Sequence, residues 1–481
     1  NLSTLPTVGV RVPDLPQTRA ILAAAGGALA VSSANRSDQP PACTIQAAID
    51  DPTTTNGDHI VVSAGTYNEA VVVNKVIILE GAGNTPSGSI ITNAGGTALT
   101  LMAGTNNANR VVAKKFRLTG SVTGLVTNDY NTIEDIASVS NSNYGINISG
   151  SDDLLVTNSQ FNNNVTGLKL ASTSSGSNWT FTNCEFNDNT SNGWYADANS
   201  SFEPTLDNVT VTNSTFNNNV NKGIYLERLS NAVFDGITVD NSGVGGAVNH
   251  RAGIDFNLKW RTDYSNIQIK NSVISNCGKG DPNGGGILIK ARSDGSYASN
   301  PAQLDNVSLE NLIVTGNGGT SNYAAGIIIG ESHNAYTGVN TSPTNVSITE
   351  CSITGNSPNQ LRNALLGTSV SATCNWWGTV VANDIATNEI SGTVTYSPYL
   401  INGTDDQPGT PGFQPATGTC LGSPIVINSV TTTGQTCGAS DGSIEITFSG
   451  GTASYNISWT GPSNGNASNI TSPHTITGLA A

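Results

Sequence analysis

The chain has 481 residues and a net charge of -15, with 53 glycines, only 11% charged residues and much Asn, Ser and Thr. That acidity excludes nucleic acid and an anionic membrane surface as partners, and it weighs against an acidic polysaccharide unless calcium or a local basic patch intervenes. No apolar run is long enough for membrane insertion, and the length suits more than one domain.

Residues 1–40 carry no repeat and read as an N-terminal arm. Residues 7–12 alternate like a strand, and 16–30 are Ala-rich with the composition of a short helix. The first residue is Asn1, as expected where a signal peptide has been removed. From Cys43 to Asp50 runs a short amphipathic segment, followed by strand-like stretches at 57–67 and 71–79. A helix here would plug the open end of a stacked coil, which otherwise exposes apolar core and free strand edges.

From residue 139 to 330 one pattern recurs. One half reads Asn-Ser-Gln-Phe-Asn-Asn-Asn from Asn158, Asn-Cys-Glu-Phe-Asn-Asp-Asn from Asn183 and Asn-Ser-Thr-Phe-Asn-Asn-Asn from Asn213. The other half is a Gly followed by a short apolar strand, starting at Gly145, Gly167, Gly193, Gly223, Gly253, Gly286 and Gly326. Recurrence at this spacing means stacked repeats. Alternation assigns the facings. Leu168, Trp194, Ile224, Ile254, Ile287 and Ile327 make one inward column, and Leu170, Ala196, Leu226, Phe256, Ile289 and Ile329 the next. Asn147, Lys169, Tyr195, Tyr225 and Asp255 point outward, with both tyrosines expected to be exposed.

The pattern resembles the right-handed parallel β-helix of the pectate-lyase-like superfamily. The fold class expected is therefore all-β, a parallel β-helix solenoid over residues 41–400 with an N-terminal cap. The repeat count predicts about ten to thirteen rungs and a length of roughly 50 to 60 Å at a strand spacing of ~4.8 Å. Past Gly223 the rungs lengthen, with insertions at 243–251, 278–285, 292–303 and 316–323. Such insertions map to loops, often on a binding side. The Asn-Trp-Trp-Gly element at 375–378 and the Val-x-Tyr-x-Pro-Tyr-Leu run at 394–400 resemble the closing segment of bacterial surface β-helices, with Trp376 and Trp377 covering the last apolar rung.

Residues 401–423 are rich in Gly, Pro, Thr and Asp and read as a linker. Between 424 and 481, four short alternating stretches read as an immunoglobulin-like sandwich. The run Cys-Gly-Ala-Ser-Asp-Gly-Ser-Ile from Cys437 is similar to repeats of gliding-type bacterial surface adhesins exported by the type IX route, which implies a cell-surface or fibre role. A sandwich needs about seven strands, so this repeat is expected to be truncated. Either chain beyond Ala481 or a strand from another copy would complete it. Residues 7–12 are the best donor, and donation through that arm would build a head-to-tail filament.

The chemistry-bearing residues cluster after the Gly-led strands. Asp197, Glu227 and Lys290 fall at equivalent offsets, Lys259, Arg261 and Arg292 follow closely, and Glu331 and His333 lie on the next rung. Two carboxyls could serve glycoside hydrolysis; a Lys or Arg beside a uronate could serve β-elimination. Tyr195, Tyr225 and Asp255 are the candidate glycan contacts. Asp152 and Asp153, at a rung corner, are weak calcium ligands, a solvated turn being the commoner use, and calcium is the one cofactor that enters. Cys184 and Cys351 share the register of Ser159, Ser214 and Ser272 and read as small buried residues. Cys420 and Cys437 flank the first strand of the last domain and are expected to pair with each other or with a cysteine further on. These readings point to an exported structural or adhesive protein whose partner is a polysaccharide or a neighbouring copy. A polysaccharide lyase or glycoside hydrolase is the alternative. Geometry separates them: an enzyme brings the candidates together in one cleft, whereas a scaffold spreads them along a wall.

Overall fold

A computed structural model describes residues 10–12, 44–102, 104–246, 250–331, 336, 338–420, 425–437, 439–450 and 455–480, with side chains from residue 44 onward. The expected helix at 16–30, Cys43 and His333 lie outside the described residues.

The Gly-led strands pair in parallel and in register, Leu168 with Trp194, Trp194 with Ile224, Ile224 with Ile254, Ile254 with Ile287 and Ile287 with Ile327. Both inward columns are fully buried, Trp194 and Phe256 among them. Among the described residues, the Gly-led strands form a 12-stranded sheet from Val71–Val73 to Ile390–Ser391. Twelve rungs at ~4.8 Å span roughly 53 Å, within the expected length. The strand that follows in each coil joins a 15-stranded sheet, and the third face carries two shorter sheets of four strands. The molecule is thus a parallel β-helix with one apolar bore.

Polar ladders hold the corners. Asn164, Asn189 and Asn219 stack, each side-chain oxygen accepting the backbone N–H of the Asn one rung before, at 3.0 and 3.1 Å. Beside them the rings of Phe161, Phe186 and Phe216 stack at 5.2 and 4.9 Å. Cys184 and Cys351 are buried in the Ser ladder as expected; Cys184 N–H donates to Ser214 Oγ. Burial pushes both thiols up to about 12.

The open end is closed twice. The helix Ile45–Asp50, capped by the Thr44 side chain, buries Ile45 and Ile49 on the first coil. Its Gln46 carboxamide accepts from Val72 N–H at 2.6 Å and donates to Val72 carbonyl at 3.3 Å, satisfying an edge strand that has no earlier rung. The strand Val10–Val12 pairs antiparallel with His59–Val61 and covers the other edge. Residues 10–12 of the segment expected to serve a neighbouring copy pair here within their own chain.

At the far end Trp377 and Tyr399 are buried in the last coil, while Trp376 is half-buried against Gly403. Residues 401–420 do not behave as the linker their composition suggests. Phe413 is buried and exchanges backbone and side-chain hydrogen bonds with Asn311, both 3.0 Å. The segment returns to the coil, so Cys420 bonds to Cys374 across a Cα separation of 5.1 Å. This corrects the expected Cys420–Cys437 pairing: Cys437 is a free, exposed thiol. Among the described residues, the last region holds five strands rather than the expected four. Val426–Thr433, Gly442–Ser449 and His474–Leu479 form one antiparallel sheet, and Tyr455–Trp459 pairs with Gly465–Ile470. Gly465–Ile470, rich in Asn, Ser and Gly, has little strand propensity of its own.

Candidate functional site

Three successive rungs of the 12-stranded sheet carry the site: Lys222–Leu226, Ala252–Leu258 and Gly285–Ala291. Asp255, one residue from inward Ile254 and Phe256, stands on the outer face yet is fully buried. Lys222 of the rung before reaches its Oδ2, and Lys290 of the rung after lies 3.0 Å from its Oδ1. Burial alone would raise the Asp255 carboxyl; the two ammoniums outweigh it and hold the group down at about 2. Burial also lowers the Lys222 pKa, with Lys290 adding to it. Asp255 is the keystone of a lysine pair, which corrects its expectation as a glycan contact.

To one side, Tyr225 donates its hydroxyl to Glu227 Oε1, the same oxygen that receives Lys259 Nζ, while Asn257 Nδ2 donates to the phenol oxygen at 3.1 Å. Burial, and then the Glu227 and Asp255 charges, push the Tyr225 phenol well above its ordinary value, so it stays protonated. To the other side, Arg292 grips Asp294 with two nitrogens, at 2.8 and 2.5 Å, and reaches Glu331 at 3.1 Å. Glu331 also meets His250 Nε2 at 3.4 Å. Burial and the Lys290 charge lower the His250 pKa, against the pull of Glu331 and Asp255, so its imidazole is neutral at pH 7. Tyr297, on the short 3-10 turn Gly295–Tyr297, lies against both Lys259 and Arg292, with their cationic centres 5.3 and 4.8 Å from its ring.

These groups, apart from Glu227 and Asp294, line a cleft of about 420 Å³ together with Tyr336. Its wall presents four cations, Lys222, Lys259, Lys290 and Arg292, against two carboxylates, Asp255 and Glu331. With Glu227 bonded to Lys259 and Asp294 to Arg292, the four cations meet four carboxylates, so the charges balance here in an otherwise acidic chain.

Of the sequence-predicted candidates, Glu227, Lys259, Lys290, Arg292 and Glu331 converge here. Asp197 does not; it pairs with Lys169 at 2.6 Å one rung earlier. Arg261 turns away to Asp263 and the Glu203 carbonyl. Tyr195 and Tyr225 point outward as expected but are half-buried rather than exposed, because their rings stack at 5.4 Å and lysines lie over them. Asp152 accepts from Ser177 and Asp153 from Asn107 at a corner turn. Among the described residues, no group of three or more His, Cys, Asp or Glu is placed to hold a metal ion.

The sequence reading missed Lys222, His250, Asp294, Tyr297 and Tyr336. Lys222 was detectable: equivalent positions hold Thr166, Asn192, Ala252, Gly285 and Ala325, all uncharged. His250, Asp294 and Tyr297 sit in insertions and Tyr336 in the connection between Ala325–Ile329 and Thr344–Thr349, where no column exists to expose an outlier.

The coil is a right-handed parallel β-helix, and the family model described as right handed beta helix region matches residues 66–208. A second model, Sua5_yciO_yrdC, described as telomere recombination, matches residues 2–77. Residues 44–77 of that match form the capping helix and the first coil, continuous with the solenoid. Among solved structures, the A-module of the Azotobacter vinelandii mannuronan C-5 epimerase AlgE4 is similar at 16% identity, covering 75% of this chain and 95% of that one, with a TM-score of 0.46. The surface adhesin PfbA of Streptococcus pneumoniae is similar at 12% identity over 80% and 94%, TM-score 0.44. An alginate lyase from Paenibacillus sp. is similar at 11% over 73% and 95%, TM-score 0.36. These likenesses concern the fold and decide nothing about activity. No curated protein matches the chain.

Proposed function

We propose that the chain acts on an anionic, uronate-type polysaccharide in this cleft by β-elimination. The observation that carries this reading is the convergence in one cleft of four cations, balanced by four carboxylates, with a neutral imidazole and a protonated phenol, in an otherwise acidic chain. Lys259, Lys290 and Arg292 would hold the sugar carboxylate and stabilise the charge that develops on it as the neighbouring carbon loses its proton. His250 would accept that proton. As the ring carbon–oxygen bond to the leaving sugar breaks, a carbon–carbon double bond forms and Tyr225 donates its proton to the departing oxygen. Hydrolysis by a carboxyl pair is less well supported. It needs one carboxyl kept protonated by a raised pKa, whereas Asp255 and Asp294 are both held low by their cations.

An extracellular setting and an immunoglobulin-like role for the antiparallel C-terminal sheets belong to the same proposal. The Cys374–Cys420 disulfide favours an oxidising compartment. No helix among the described residues is long and apolar enough to cross a membrane.

The test is a panel of polymannuronate, polyguluronate, polygalacturonate and polyglucuronate, assayed for unsaturated ends, with His250→Gln and Tyr225→Phe as variants. Loss of turnover by ~10²-fold or more in each folded variant is expected. Reducing ends without unsaturation would mean hydrolysis. Tight binding with no product would return the cleft to the adhesive reading.

A further inference from the structure

We propose that this cleft is the closed end of a one-ended groove, which takes the terminus of an anionic oligosaccharide and lays the remaining sugars along the face toward the N-terminal rungs. This rests on the reading of the cleft as a uronate site and adds the mode of binding.

The outward column of the 12-stranded sheet changes character at the cleft. Thr100, Val126, Asn147, Lys169, Tyr195 and Tyr225 follow one another rung by rung, and each keeps solvent access. The next members, Asp255, Leu288 and Ile328, have none. Leu288 and Ile328 point away from the bore, yet they form a separate buried cluster with Ala252 and Ala325. An outward Leu and Ile can be fully buried only if other chain covers that face. His250 precedes the strand Ala252–Leu258 and Glu331 follows Ala325–Ile329, so they approach from opposite edges of the sheet, and their side chains meet at 3.4 Å. One rung further, Arg362 of the same column donates to the Asn322 carbonyl and lies against the Tyr323 ring. A polymer lying along the sheet has no path past Asp255.

The open side is built differently. The Tyr195 and Tyr225 rings are nearly coplanar in direction, 10° apart, on consecutive rungs. Lys169 lies 3.7 Å from the first ring centroid and Lys222 3.8 Å from the second. The rings face each other with Lys169 and Lys222 over them, so this side presents two half-buried ring edges in line, rung above rung, along which a sugar chain can lie.

The experiment uses the full chain and oligomannuronates and oligogalacturonates from di- to octasaccharide, each uncapped, capped with a bulky fluorophore at the reducing end, or capped at the non-reducing end, with affinity read by calorimetry. Under the proposal one cap, and only one, weakens binding ~10-fold or more, and Tyr195→Ala weakens the longer oligomers several-fold while sparing the disaccharide. Equal tolerance of both caps would overturn the closed end while leaving the uronate reading in place. No affinity for any oligouronate would remove both together.

Discussion

Replacing Asp255 by Asn tests whether the lysine pair at the floor of the cleft depends on one carboxylate. A carboxyl whose pKa falls from 3.8 to about 2 on folding contributes on the order of 2 kcal/mol at neutral pH. Because the folded value is the lower one, that contribution is complete above pH 4 and disappears as the pH falls toward 2. Removal costs more than the linkage term, because Lys222 and Lys290, with side chains only 12% and 3% exposed, are left facing each other. Breaking a buried pair from one side costs ~3–5 kcal/mol. Asp255→Asn is therefore expected to destabilise by about 3 kcal/mol, and locally, since each rung of a solenoid answers mainly to its neighbours. Urea denaturation gives the size, and hydrogen exchange across residues 222–226, 252–258 and 285–291 gives the place. The triple variant Lys222→Met, Asp255→Leu, Lys290→Met should recover most of the loss, because an apolar set of similar volume needs no charge balance. A single variant within ~0.5 kcal/mol of wild type, with unchanged exchange, would refute the keystone role.

Three other outcomes are open to measurement. If His250 is the base, the acid limb of kcat/KM should lie below pH 6.5, since burial and Lys290 lower its pKa and only the neutral imidazole accepts a proton; a limb above pH 6.5 would remove it from that role. Asn219→Ala deletes the acceptor for Asn189 N–H and Nδ2, at 3.1 and 2.9 Å, and should cost ~2–3 kcal/mol for the donors left buried; a neutral effect would show that the ladder is ornamental. In native alkylation followed by peptide mapping, Cys437 should react while Cys184, Cys277 and Cys351 stay protected until unfolding, and Cys374 and Cys420 should label only after reduction; a Cys420 thiol reactive without reduction would contradict the docked 401–420 segment.

The bore was legible because each rung repeats the same decision. A column such as Leu168, Trp194, Ile224 and Ile254 states its facing four times, so one ambiguous residue cannot shift the register. The converging candidates were legible for the same reason, as departures from a column. Contacts made by insertions were not. Nothing in the spacing of His250 and Glu331 says that they meet over the sheet, and nothing in the composition of 401–420 says that Phe413 docks on Asn311. Such contacts join segments with no shared period, and only the folded chain decides them. The exposure of Tyr195 and Tyr225 was misjudged because alternation gives direction, while lysine stems and ring stacking set how much water remains.

A repeating coil has no intrinsic reason to hold a site at one height, so the cause lies where the repeat breaks. The rungs at Thr166–Leu170, Asn192–Ala196 and Lys222–Leu226 are five residues long, whereas Ala252–Leu258 and Gly285–Ala291 run to seven. The two added residues continue the alternation, placing Leu258 and Ala291 inward and almost fully buried while Asn257 and Lys290 face out. Each buried apolar residue pins an extra length of strand that the shorter rungs do not have, and Lys259 and Arg292 follow directly from those pinned ends. Core packing therefore fixes where these cations start, and their partners Asp255, Glu227, Asp294 and Glu331 let several like charges share one cleft. The insertions then need only to cover the adjoining rungs, over Leu288 and Ile328, to turn a continuous face into an enclosed one.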